Sequence, residues 1–141
     1  MATYTMAQLS DQDAVAERRE PLRLVVQEIN CAENNFAASD VIKAIAVGAG
    51  QLVMAAGITV VVAEGGTLTA TLGDTDVDGF LASSDLNAAA GTAYSSQGGS
   101  TAYEKGKLYA AADTINVTLS ANAADTAVFR VWALVLDVAD R

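Results

Sequence analysis

Residues 58–87 constrain the fold most, because they contain the clearest alternation of apolar and polar side chains. From Thr67 to Leu72 the alternation is strict, which predicts a β-strand with one buried face. The face predicted to be buried carries Leu68, Ala70 and Leu72, and the other carries Thr67, Thr69 and Thr71. A β-branched run at residues 58–62 and a Glu-Gly-Gly turn precede this strand. We therefore predict a β-hairpin, followed by an acidic loop at residues 73–79.

The length of the chain limits it to one hydrophobic core. At 141 residues, a second domain is not expected. Hydrophobic residues make up 52% of the chain and charged residues only 18%. This composition indicates that part of the apolar surface is meant for a partner. We therefore expect an oligomer or a component of a larger assembly.

Charge and residue types exclude several classes of protein. The 17 acidic residues outnumber the 8 basic residues and give a net charge of -9, so nucleic-acid binding is not expected. The chain has no histidine and a single cysteine, Cys31, which excludes an internal disulfide and a Cys/His zinc site. No serine or cysteine has an evident activating partner. We expect no catalytic residue, no cofactor and no enzyme activity.

We expect neither a targeting signal nor a membrane anchor in these residues. The first 20 residues lack the basic start and apolar core of a secretory signal, so we expect synthesis and assembly in a cytoplasm. The apolar run at residues 41–63 is long enough to span a bilayer, but Lys43 and three glycines interrupt it. Two strands joined by a turn fit this run better than a membrane helix, and we expect no membrane partner.

Further strands are predicted where apolar residues alternate or cluster between turn residues. These strands cover residues 22–29, 41–47, 51–62, 107–111, 114–119 and 126–138. We expect Gly57 to bend or bulge the third of them. The last strand is apolar on both faces, so it should lie in the centre of a sheet or between subunits.

These strands together predict an all-β fold. We expect one β-sandwich or jelly-roll domain of about seven to eight strands at residues 21–141. An N-terminal arm at residues 1–20, either extended or forming a short helix, should precede it. Alanine is abundant, but it alternates with Val, Ile and Thr and shows no long helical stripe.

Two regions are candidates for contact with a partner. The arm and its junction with the first strand hold three of the eight basic residues, although a solvated charged face would also explain them. The glycine- and serine-rich segment at residues 88–100 is predicted as a long surface loop with tyrosines in or beside it. The candidate interface residues are Arg18, Arg19, Arg23, Tyr94 and Tyr103.

The acidic segment after the alternating strand has the carboxylate spacing of a calcium-binding EF-hand loop. Gly79 occupies the position of the loop glycine, and the candidate ligands are Asp74, Asp76, Asp78 and Asp85. An EF-hand needs a helix on each side, whereas a strand leads into this loop. The alternative is a solvated turn in which the aspartates accept hydrogen bonds from their own backbone. We expect no metal, with calcium at this loop as the minor alternative.

Several segments resemble small structural proteins encoded beside the capsid genes of tailed bacteriophages, which are capsid decoration (cement) proteins. The matching segments are VGAGQLV at 47–53, GGT at 65–67, the turn at 72–80, DLN at 85–87, LYAAADTI at 108–115, and ADTA at 124–127 before RVWA at 130–133. They fall within residues 41–138, and residues 1–20 match none of them. The resemblance also favours a turn for the aspartate loop.

The resemblance implies a β-rich homotrimer on the outer surface of the virion head. It implies the major capsid protein as partner, with the trimer stabilising contacts between capsid subunits. Some relatives belong to tails or fibres, so a tail or fibre component is an alternative. A calcium-stabilised β binding module is the other alternative.

Overall fold

The computed structural model describes residues 22–138, and the arm with Arg18 and Arg19 lies outside this range. Within it the chain forms nine β-strands and no helix. The strands are β1 (Leu22–Asn30), β2 (Val41–Val47), β3 (Gln51–Val62), β4 (Thr69–Gly73), β5 (Leu81–Asp85), β6 (Ala93–Ser95), β7 (Lys107–Tyr109), β8 (Asp113–Leu119) and β9 (Val128–Asp137).

The strands form two antiparallel sheets that pack around one core. The five-stranded sheet A has the order β1-β9-β3, and β6 and β7 both pair with the far edge of β3. The four-stranded sheet B has the order β2-β8-β4-β5. This arrangement confirms the predicted all-β sandwich, with more strands in the described range than the sequence indicated.

Strand β9 lies at the centre of sheet A. It pairs along its length with β1 on one side and β3 on the other. Its inward side chains Phe129, Val131 and Ala133 are completely buried. Each large apolar side chain buried in this way contributes about 1.5–3 kcal/mol. The prediction that the last strand lies centrally in a sheet is therefore confirmed.

The predicted hairpin between residues 58–62 and 67–72 is wrong, because these strands lie in different sheets. Strand β3 pairs with β9 on one edge and with β6 and β7 on the other, so no edge is free for β4. Strand β4 pairs with β5 and β8 instead. The Glu-Gly-Gly turn is thus a crossover between sheets, and Gly65 adopts a φ of 93° there, which favours glycine.

Glu64 anchors this crossover to both sheets. Its carboxylate accepts hydrogen bonds from the backbone N–H groups of Asp125, Thr126 and Ala127 at 3.1, 3.2 and 2.8 Å, just before β9 begins. Its own N–H donates to the carbonyl of Leu86, just after β5, at 3.1 Å. Hydrogen bonds to a carboxylate are stronger than those between neutral groups. The side chain of Glu64 therefore fixes the crossover against the turn into β9.

Strands β2 and β3 have the bounds predicted for them, but they too belong to different sheets. The corner between them turns at Gly50, whose φ is 81°. The side-chain carbonyl of Gln51 accepts a hydrogen bond from the N–H of Gly48 at 2.8 Å and closes the corner. Residues 41–63 thus form two strands joined by a turn, as predicted. Within residues 22–138, no helix is long and apolar enough to cross a membrane.

Strands β5 and β6 were not predicted from the sequence. Strand β6 lies inside residues 88–100, which were predicted to be a continuous loop, and it pairs with Gly57, Ile58 and Thr59 of β3. Its three residues, Ala-Tyr-Ser, are too few to show an alternation. Strand β5 is mostly polar because it forms the outer edge of sheet B. The rest of the predicted loop is largely exposed, as expected.

Gly57 permits a close approach of strands and does not produce the predicted bulge. The register shifts of β3 against β9 lie between Val53 and Ala55 and between Val60 and Val62. A Cβ at position 57 would overlap the carbonyl oxygen of Tyr94 and the ring of Trp132. Glycine is therefore required where β6 and the Trp132 side chain both meet β3.

Replacing Gly57 with alanine should lower the free energy of unfolding by about 2–3 kcal/mol, because the added Cβ would push β6 and the Trp132 ring away from β3. Urea unfolding followed by tryptophan fluorescence measures this change. The control is Gly66→Ala in the crossover, where an added Cβ has nothing within 4 Å. We expect that variant to stay within about 0.5 kcal/mol of the wild type. Equal effects of the two substitutions would contradict the close approach at Gly57.

Candidate functional site

The most highly organised polar group in the described residues surrounds Asp74, which follows β4 and has a side chain only 1% exposed. The hydroxyl of Tyr103 donates to Oδ1 at 3.0 Å and that of Tyr109 donates to Oδ2 at 2.8 Å. The N–H of Asp76 donates to Oδ1 at 2.9 Å, and Nζ of Lys107 lies 3.7 Å from Oδ2. We call Asp74, Tyr103, Lys107 and Tyr109 the Asp74 cluster.

The aromatic rings of the cluster hold the ammonium group of Lys107. Its Nζ donates to the hydroxyl of Tyr103 at 3.1 Å and lies 4.5 Å from the centre of that ring. The Tyr103 ring packs edge-on against Phe80 at 5.0 Å and covers Gly79, where a Cβ would overlap it. The cluster therefore joins the turn after β4 to the segment that leads into β7.

The interactions within the cluster fix its charge states. Burial alone would raise the pKa of Asp74, but hydrogen bonds from Asp76 and the two tyrosines, together with Lys107, lower it below the usual 3.8. Burial and the bond to Asp74 raise the pKa of Tyr109 above its usual value of 10.0. Burial also raises the pKa of Tyr103, and the bond to Tyr103 raises that of Lys107. At neutral pH the cluster holds a carboxylate, an ammonium and two neutral phenols.

This geometry suits a role in stabilising the fold better than a catalytic role. The Asp74 carboxylate is ionised, enclosed and already bound by three hydrogen-bond donors. A general base needs an accessible lone pair and a pKa near the working pH, and Asp74 has neither. The sequence interpretation missed Lys107 and Tyr109, because only tertiary folding brings them to Asp74. Tyr103, predicted at an interface, is half-buried and bound to the same carboxylate.

The four aspartates proposed as calcium ligands do not converge on one point. Asp74 faces inward and accepts the N–H of Asp76, which is the self-bonded turn that we set against calcium binding. The pKa of Asp76 is raised, mainly because its side chain shares a hydrogen bond with the side chain of Asp78. Asp85 lies on β5 and accepts the N–H of Asn87 at 2.8 Å. In residues 22–138, no group of three or more His, Cys, Asp or Glu side chains is placed to hold a metal ion.

Tyr94 lines a groove of about 410 Å³ between β5 and β6, where the edges of the two sheets meet. The other lining residues are Phe80, Leu81, Ala82, Ser83, Ser95, Gly99, Ser100 and Thr101. No carboxylate, ammonium, guanidinium or thiol lines it, so it is suited to contact and not to acid–base chemistry. Tyr94 stays a candidate interface residue, because it lies among the exposed residues of the 88–100 segment.

Arg23, the one candidate arginine within the described residues, pairs with another strand of its own chain. Its guanidinium lies 3.4 Å from the carboxylate of Asp137 at the end of β9, and both side chains are less than a quarter exposed, at 23% and 22%. Surface ion pairs of this kind contribute at most about 1 kcal/mol. Contact of Arg23 with a partner stays a prediction.

The outer surface of sheet A carries an apolar patch, which we call the leucine face. A row of four leucines crosses four strands in register, in the order Leu22, Leu136, Leu52 and Leu108. Behind it lie a second row, Leu24 and Leu134, and a third row, Val26 and Trp132. The exposed fractions of Leu22, Leu24 and Leu108 are 45%, 57% and 55%.

The central strands of sheet B, β4 and β8, have a polar outer surface, in contrast to the leucine face. Its central strands alternate buried apolar residues with outward threonine and asparagine, as the sequence predicted. The outward residues are Thr69, Thr71, Thr114, Asn116 and Thr118. The centres of the two outer surfaces therefore differ in chemistry, since that of sheet A is apolar and that of sheet B is polar.

Two phage capsid structures contain a chain with a similar fold. One is the acidic stable capsid structure of Helicobacter pylori bacteriophage KHP30, with a TM-score of 0.61, 14% sequence identity, and coverage of 83% of this chain and 88% of that chain. The other is the capsid of Ralstonia phage GP4, with a TM-score of 0.63, 16% identity, and coverage of 84% and 86%. At such identities the similarity shows a shared fold. The sequence matches no family model and no curated protein.

Replacing Asp74 with alanine should destabilise the protein by about 3 kcal/mol, because it leaves Lys107 and the Tyr109 hydroxyl without their acceptor. Urea unfolding measures the loss. Asp78→Ala removes an exposed carboxylate from the same turn and serves as the control, with an expected change within about 0.5 kcal/mol. If the two variants were equally stable, the cluster would not fasten the turn.

The protein should be less stable at low pH and at high pH, because Asp74 and Tyr109 have shifted pKa values in the folded state. The lowered pKa of Asp74 means that its contribution is complete above its unfolded value of 3.8 and is lost as the pH falls below it. The raised pKa of Tyr109 means that its contribution is complete below 10.0 and is lost as the pH rises above it. Melting temperature against pH tests this. Asp74→Ala should flatten the acid limb, and Tyr109→Phe the alkaline limb.

Proposed function

We propose that this chain is a phage virion structural protein, namely a capsid decoration (cement) protein. In this role it binds the outer surface of the head and stabilises contacts between major capsid protein subunits. The observation that carries the proposal is the shared fold with chains in two phage capsid structures. The resemblance of residues 41–138 to decoration proteins also supports the proposal.

The coverage of the structural matches favours a small accessory component. The matches cover similar shares of this chain and of the capsid chains, so all of these chains are close in length. The similarity therefore extends over most of a small protein and is not confined to one domain of a large one. A small β-sandwich that occurs in capsids is what a decoration protein requires.

The physical properties of the chain suit a load-bearing surface protein. The sandwich is fastened by Glu64 at the sheet crossover and by the Asp74 cluster beside β7. A net charge of -9 keeps the protein soluble and repels it from nucleic acid, which suits a position on the outside of a DNA-filled shell. We propose that it has no catalytic activity.

We propose that the decorating unit is a homotrimer. Three weak contacts with the shell then act together, because binding of the first raises the effective concentration of the others. The proposed contacts with the capsid or with neighbouring copies are residues 1–23 and the 88–100 segment. The residues expected there are Arg18, Arg19, Arg23 and Tyr94, while Tyr103 supports the adjoining groove from inside.

The full chain should cosediment with empty heads assembled from the phage's own major capsid protein. A variant without residues 1–20 should fold and keep its oligomeric state but bind heads poorly, since it lacks the proposed arm contact. Quantitative cosedimentation with heads and, separately, with purified tails measures both. Binding to tails alone would overturn the decoration role in favour of a tail component. Unchanged binding of the truncated chain would exclude the arm contact.

A further inference from the structure

Within the described residues, strand β1 forms a free edge of sheet A. Its pairing with β9 is continuous over all nine residues, and the N–H of Cys31 donates to the carbonyl of Ala127 at 2.8 Å in the same register. Hydrogen-bonded positions alternate in an antiparallel pair, so the odd-numbered residues of β1 bond to β9. The backbone N–H and C=O groups of Leu24, Val26 and Glu28 therefore point away from the sheet.

These outward groups have no strand partner among residues 22–138. The carbonyl of Glu28 accepts a hydrogen bond from the side-chain amide of its neighbour Gln27 at 3.2 Å, which agrees with an outward direction. The side chain of Leu24 is 57% exposed. The edge is thus accessible to an incoming strand.

The other sheet edges that the structure describes are protected against strand addition. On the far edge of sheet A, β6 and β7 have three residues each. The outer strands of sheet B, β2 and β5, both show a register shift in their pairing, and the shift in β2 lies beside the exposed Lys43. Short strands, bulges and edge lysines prevent pairing with other chains. Strand β1 is long and has no register shift, so it is the edge best suited to pairing.

We infer that the free edge of β1 binds an extended segment of the major capsid protein as an added strand. An extended backbone presents N–H and C=O groups at the spacing that this edge requires. The edge begins at Leu22, inside the segment 1–23 that the proposed function places at the shell, so the two contacts are continuous. This inference rests on the proposed function and names the surface and the mode of that binding.

The side chains of β1 indicate the chemistry of the bound segment. The charged side chains Arg23 and Glu28 already pair with oppositely charged residues of β9, at 3.4 and 3.0 Å. The net charge of -9 disfavours an acidic segment. We therefore expect a segment without acidic residues, with apolar side chains at alternate positions beside Leu24 and Val26.

A second copy of this chain suits the edge less well. The long free edge that a copy offers in return is its own β1, and two β1 strands paired antiparallel form a closed two-fold dimer. Such a dimer joins two bodies that each carry a net charge of -9. It also uses both free edges, so neither copy could then pair with the shell.

The first test removes one N–H group from the edge. Val26→Pro deletes an N–H that points away from β9, so the β1–β9 hydrogen bonds stay intact, as with prolines in natural edge strands. The affinity for empty heads, measured by cosedimentation of the full chain, should fall by roughly 10-fold, as for an interface hydrogen bond left unmade. The control Val26→Ala keeps the N–H and should stay within about threefold of wild type. Equal binding by the proline variant and wild type would overturn the inference.

A second variant tests the same edge without changing the backbone. Leu24→Lys places a lysine on the edge, which hinders strand addition, and should weaken head binding while the melting temperature stays that of wild type. Val41→Lys adds the same charge at a residue 55% exposed on β2, and should bind heads normally. If both lysine variants bound heads equally well, strand addition at β1 would be excluded even where Val26→Pro had failed to fold.

Hydrogen exchange, measured by mass spectrometry on peptides from β1, identifies the source of the added strand. The outward amides, including those of Leu24 and Val26, should exchange rapidly in the free chain and slowly on heads. Head binding without this protection contradicts the inference alone. Protection in the free chain that is lost on removal of residues 1–20, or that rises with protein concentration, assigns the edge to the chain's own N-terminal segment or to a second copy, and either result overturns the inference. Absence of head binding contradicts the proposed function as well.

Discussion

The pairing of β9 with β1 and β3 is the contact on which the rest of the structure depends. It joins the two ends of the described chain in one sheet and buries a continuous inner row that includes Phe129 and Val131. Because β3 is occupied on both edges, β4 is forced into the other sheet, and the crossover at Glu64 follows. The two-layer sandwich thus results because both edges of β3 are already paired.

The two central strands of sheet A, β9 and β3, differ in what their two faces contact. Its inner side chains form the core, while its outer side chains, with those of β1 and β7, form the leucine face. A strand that is apolar on both sides is normally covered on both sides. Within residues 22–138, sheet B covers one side of the central strands and no other segment covers their outer side. Function as a component of an assembly is therefore consistent with the way the central sheet is built.

Sequence alone predicted the parts of the fold that depend on local side-chain periodicity. The bounds of β2 and β3 and the alternation of Ile115, Val117 and Leu119 follow from the order of residues. The Asp74 cluster could not be predicted in the same way. Tyr103, Lys107 and Tyr109 are far from Asp74 along the chain, and carboxylate spacing within the turn suggested calcium because it carries no information about these partners.

The sequence by itself determined that the chain is all-β, which surfaces of most strands are buried, and that the chain contains no histidine. It could do so because burial of a strand face is encoded in every second residue. The tertiary structure decided which strands pair, that Gly57 makes room for Trp132, and that four leucines align across sheet A. These features depend on which strand edges are free and on register between distant segments, and neither is encoded in the residues of a single strand.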